Sequence, residues 1–195
     1  MGPVAEHRPS PVPSGWISTH VVADYAGITR TILTAWKERG RRDVSVYLAQ
    51  ALARAVHEAA VAARAQSASD VGCVTVVPIP ASSAAQRRRG EDAWERVVRL
   101  AMQVTDPRVG LTLARCLRLT RQPRDQAGLT ALERRANLAG ALACDAPPEG
   151  RVIIVDDIVT TGATLAEAAR ALRVVGVGEV RAAAIAATSR GRRRW

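Results

Sequence analysis

Apolar residues recur along this chain with two periods, and the switches between them outline the elements. The spacing of Ile32, Leu33 and Trp36 predicts a helix over 29–38, ended by Gly40. From Val44 to about Gln66, Leu48, Leu52, Ala55, Val56 and Ala59 fall on one face and predict a long helix. Trp94, Val97, Val98, Ala101 and Met102 predict another. Between these lie β-branched runs. Residues 16–25 read as a short strand or hairpin arm, and Cys73–Pro78 reads as a strand that must stop where Pro-Ile-Pro removes ladder donors. Leu111–Thr120 reads as one further strand. A polar loop over 121–128 then leads to Thr130-Ala-Leu-Glu133, a capping box that opens a short helix.

The clearest unit comes last. Arg151–Val155 is a fully apolar strand after Gly150. Ala163–Val175 is an amphipathic helix ended by Gly176, and Val180–Ala187 is another strand. A strand, a helix and a strand within this span make a βαβ unit and hence a parallel sheet, which binds ligands beyond the carboxyl ends of its strands. The fold class expected is therefore α/β, with a central parallel sheet flanked by helices. Residues 1–15, punctuated by four prolines, are expected as a flexible tail, 16–188 as the domain, and 189–195 as a basic tail.

Composition narrows the classes. The chain has 195 residues, 48% hydrophobic and 24% charged, which suits one globular domain and excludes a largely disordered chain. No apolar run approaches the ~18 residues that span a bilayer, so no membrane span is expected. The proline-rich start lacks the apolar stretch of a secretory signal. The three widely spaced cysteines form no zinc-type pair and fit a reducing, cytoplasmic setting. Phe is absent, and the net charge is +10, almost all from arginine, with Lys37 the single lysine. Such charge favours anionic partners: phosphorylated metabolites, nucleic acid or acidic proteins.

Chemistry concentrates after the apolar strand, in Asp156-Asp157-Ile-Val-Thr160-Thr161-Gly162-Ala163-Thr164. Two adjacent carboxylates repel one another and are tolerated where they bind hydroxyls or a cation. The helix start behind them offers unpaired N–H groups and positive potential. Threonine hydroxyls can add hydrogen bonds, and Gly162 lets a bound group approach the backbone. The pattern suits a sugar phosphate, with its phosphate in the cradle and its vicinal hydroxyls on the acids. Other phosphate motifs fail on spacing. No Gly-Lys-Ser/Thr loop exists, position 158 is Ile rather than an acid, and Gly176-Val-Gly178 lacks the third glycine of a dinucleotide fingerprint.

The segment Val152–Leu165 resembles the binding motif for phosphoribosyl pyrophosphate (PRPP) in type I phosphoribosyltransferases. The resemblance implies that Asp156 and Asp157 hold the ribose hydroxyls as the catalytic pair. It also implies that Thr160, Thr161, Gly162, Ala163 and Thr164 bind the 5-phosphate, and that Mg²⁺ enters through PRPP rather than a protein-only site. Val76-Val-Pro-Ile-Pro80, Arg89-Gly90, Trp36-Lys37-Glu-Arg-Gly-Arg-Arg42 and Gln126-Ala-Gly-Leu-Thr-Ala-Leu-Glu-Arg-Arg-Ala-Asn137 look like segments of the ComF family. This chain would be a short form without that family's N-terminal zinc module, and it departs from the family where Glu91-Asp92-Ala93 follow Arg89-Gly90. A small N-terminal hood belongs to the same expectation. Arg87, Arg88, Arg89 and Lys37 are candidates for the pyrophosphate, and Arg121 and Arg124 for a loop over the reaction centre.

The activity expected is transfer of ribose 5-phosphate from PRPP to an acceptor, with release of pyrophosphate, by a pentosyltransferase. The alternative is a non-catalytic ComF-type protein that senses PRPP or binds single- or double-stranded DNA in DNA uptake, with Arg190–Arg194 touching the phosphate backbone. The reading leaves room for a homodimer.

Overall fold

The computed structural model describes residues 3–65, 72–80, 93–121 and 130–188, with only the backbone of 131 and 132. Six strands form the main sheet: β1 (Ala5–His7), β2 (Thr19–Asp24), β3 (Val74–Pro78), β4 (Leu111–Leu113), β7 (Arg151–Val159) and β8 (Val180–Ala187). Their spatial order is β1-β2-β8-β7-β3-β4. Every neighbouring pair is parallel except β1 with β2. Two short strands, β5 (Leu117–Leu119) and β6 (Leu142–Cys144), pair antiparallel as a separate ribbon. The helices are α1 (Gly27–Glu38), α2 (Ser45–Ala65), α3 (Ala93–Val104), α4 (Ala131–Leu138) and α5 (Ala163–Val174).

The apolar run in β7 has a direct cause: the strand is covered on both faces. Ile153 and Val155 point into a core shared with α1, α2 and α3, around the fully buried Leu33, Trp36 and Leu52. Val152 and Ile154 point the other way, into a core with Leu165 and Leu172 of α5 and Leu117 and Leu142 of the ribbon. Burying both alternate sets supplies the hydrophobic stabilisation that a parallel sheet requires. Aromatic packing is concentrated in the first core, where Trp36 of α1 meets Trp94 of α3 edge to face at 6.3 Å.

Three expectations change. Leu111–Thr120 is not one strand. Its first part pairs with β3, and its second part leaves the sheet to pair with β6. The apolar strand does not end at Val155, because β7 continues pairing with β8 as far as Val159↔Ala187 and carries the aspartate pair. Lastly, residues 5–7, inside the stretch expected as a tail, form β1 at the sheet edge in register with Thr19–Val21.

Candidate functional site

The site begins with unequal strand lengths. β3 ends where Pro78 pairs with Val155, because proline has no N–H with which to extend the ladder. β7 runs on, so Asp156 and Asp157 lose their neighbour on the β3 side while β8 still holds their backbone. The acids thus stand at the carboxyl edge of the sheet, beyond the last pairing of β3.

The acids are linked to each other and to one cation. The Asp157 backbone N–H donates to Asp156 Oδ1 at 2.8 Å. Lys37 Nζ donates to Asp157 Oδ1 at 2.7 Å, with the Asp157 side chain 14% exposed. Lys37 reaches β7 because the buried Trp36 anchors the last turn of α1 against the first core. Burial and the neighbouring Asp157 charge push the Asp156 carboxyl up to about 7, with Lys37 pulling in the opposite direction. Asp156 therefore holds its proton more readily than an ordinary carboxyl.

Behind the acids, residues 160–162 turn the chain into α5. The N-cap of this helix, Gly162 at φ +74°, has no side chain to offer, and the Ala163 N–H donates to Thr161 Oγ1 at a long 3.5 Å. The first turn of α5, which opens four residues after Val159, thus offers N–H groups and positive potential close to the end of β7. Gly162 also has a packing role. A Cβ there would fall 2.3 Å from Trp16 Cζ3 and 3.2 Å from Pro9 Cγ. Its bareness admits the N-terminal segment against the turn.

A cavity of about 520 Å³ opens at Thr160 and Thr161. Tyr25 and Thr188, which directly follow β2 and β8, line it together with Arg30 of α1 and Arg134 of α4, and Ser10 and Pro11 form its outer wall. Sequence reasoning missed these residues. The available signal was positional: Tyr25 and Thr188 follow strands that neighbour β7 in a parallel sheet, where ligand sites collect.

Other candidates are distributed elsewhere. Arg87, Arg88, Arg89, Arg124 and Arg190–Arg194 lie outside the described residues. Arg121 donates to the carbonyls of Asn137 and Ala139, closing the end of α4. Arg41 forms a paired contact with Asp43. The Cys116 thiol is pushed up to about 12 by burial and by the adjacent Cys144, which leaves it a poor nucleophile. Among the described residues no helix is long and apolar enough to cross a membrane.

Residues 120–195 match the phosphoribosyl transferase domain. The matched stretch contains β7, the acid pair, the turn after it and α5. A curated relative, Competence protein F of Haemophilus influenzae, is 32% identical over 109 residues, which are 54% of this chain. The aligned part is 46% of that relative, so the chain spans under half of its length. This similarity agrees with the ComF resemblance read from the motifs. Among solved structures, the purine phosphoribosyltransferase from Pyrococcus horikoshii is similar at 18% identity, over 68% of this chain and 72% of that one, with a TM-score of 0.29.

Proposed function

We propose that this protein binds PRPP at the carboxyl edge of β7 and transfers its ribose 5-phosphate to an acceptor, with release of pyrophosphate. The observation that carries the reading is the succession, within one strand end and one turn, of an acid pair and a helix start whose N-cap is glycine. Asp156 and Asp157 would hold the ribose hydroxyls, and Thr160–Thr164 would hold the 5-phosphate. The C1–oxygen bond to pyrophosphate breaks, the acceptor's lone pair forms the new bond at C1, and positive charge builds on the ribose ring in between. Asp157 would accept from a hydroxyl and oppose that charge, and its contact with Lys37 supports a fixed orientation of the carboxylate.

The donor set fits magnesium. Two adjacent carboxylates offer hard oxygen ligands, and no group of three ligating side chains occurs among the described residues. This arrangement suits an ion that takes most of its ligands from substrate and water. When bound, Mg²⁺ supplies neutralisation of the pyrophosphate charge.

The similarity to Competence protein F and the net charge of +10 favour a second reading, in which PRPP is bound without turnover and the protein serves DNA uptake. Calorimetry and pyrophosphate release separate the readings. Wild type should bind PRPP with Mg²⁺, and the Asp156→Asn, Asp157→Asn double variant should lose that binding while its circular dichroism stays unchanged. Undiminished affinity in the double variant would sink the site assignment. Binding by wild type without pyrophosphate release, across a panel of acceptor bases and amines, would support the second reading.

A further inference from the structure

The cavity at Thr160 and Thr161 has a one-sided charge. Two arginines, Arg30 and Arg134, line it, and among the described residues no carboxylate does. Its remaining polar lining consists of hydroxyl groups. Moreover, Arg134 Nε is buried and has no hydrogen-bond partner among the described residues. A buried N–H without an acceptor costs free energy, and such groups in folded proteins are ordinarily satisfied by protein, water or ligand. Other arginines nearby are engaged: Arg170 holds Glu167 and the Leu142 carbonyl, and Arg121 holds the end of α4. Arg134 thus carries an unused donor and lines a cavity that shows no carboxylate among the described residues and abuts the turn assigned above to a phosphate.

We propose that Arg134 and Arg30 are specificity-determining residues that bind the phosphate monoester of a sugar phosphate from the side opposite the Thr160–Thr161 turn. The inference rests on the PRPP reading and adds to it. The monoester is gripped by two side-chain cations as well as by backbone amides and threonine hydroxyls. A guanidinium matches a phosphate with parallel N–H donors, which an uncharged cradle cannot supply. The two arginines come from helices far apart in sequence, so the pocket is complete only once α1 and α4 have both docked on the sheet edge.

The test is calorimetric titration with ribose 5-phosphate, PRPP and pyrophosphate. Arg134→Ala should weaken ribose 5-phosphate and PRPP by about tenfold or more, as expected for a lost hydrogen bond to a charged group. Arg30→Ala should weaken the same two ligands, and neither change should alter pyrophosphate binding. Arg134→Lys, which keeps the charge without the fork, should fall between wild type and Arg134→Ala. Arg135→Ala, whose side chain lines a different cavity, should match wild type. Ligand-free melting temperatures check folding, and Arg30 is exposed, so its variant tests the claim even if Arg134→Ala is unstable. Wild-type affinity for ribose 5-phosphate in both alanine variants would overturn the arginine assignment and leave the PRPP reading standing. Failure of wild type to bind either ribose phosphate would overturn both.

Discussion

Lys37 Nζ stands 2.7 Å from Asp157 Oδ1 and ties the last turn of α1 to the acid pair on β7. The ammonium is 30% exposed, so solvent screens the pair and its worth to global stability is small. Its local effect is on proton affinity. Asp156 is pushed up by burial and by Asp157, and Lys37 is the cation that opposes them. Lys37→Met should therefore raise the upper ionisation step of the pair above its present position of about 7. A carboxyl-carbon NMR titration measures this directly. An unchanged upper step would mean that the contact does not persist in solution.

Stability should carry the signature of the same carboxyl. Its folded ionisation lies at about 7, against an ordinary value of 3.8 for the unfolded chain. Between those values the folded protein binds the extra proton, so stability from this group falls as pH rises. Its contribution is fully present below about 3.8 and is lost by the time pH has passed about 7. Asp156→Asn removes the cost of burying the charge. The variant should melt a few degrees above wild type at pH 8, and the gap should narrow toward pH 5. A constant difference between the variants across that range would exclude Asp156 as the titrating group.

Legibility in the sequence followed the range of the forces involved. The strand–turn–helix around Asp156 was readable because its determinants are local: a doubly buried apolar run, an acid pair and a glycine turn. The capping box of Thr130 and Glu133 is likewise confirmed by reciprocal hydrogen bonds within four residues. The split between β4 and β5 was not readable, since Leu111 and Leu117 have similar character and differ only in the partner strand each finds. β1 escaped notice because three residues at an edge need little pattern. Arg30 and Arg134 have no local signature. Only the docking of two helices onto one sheet edge brings them to a common cavity.

The turn at Gly162 gives the sharpest packing prediction. Any side chain there meets two obstacles. The backbone sits at φ +74°, where an L-residue is strained by roughly 1 kcal/mol. A methyl group would also lie 2.3 Å from the Trp16 ring, inside any real contact distance. Trp16 itself is held by His7 edge to face at 6.5 Å, and the Gly15 carbonyl accepts from Arg173 at 3.4 Å, so the N-terminal segment cannot yield without cost. Gly162→Ala should lower the melting temperature through both effects. Trp16→Ala removes the second obstacle and leaves the first. In a double-mutant cycle the two substitutions should therefore be less than additive, with Gly162→Ala costing clearly less in the Trp16→Ala background. Strict additivity would show that the ring does not rest on the turn, and that the glycine is required for its backbone conformation alone.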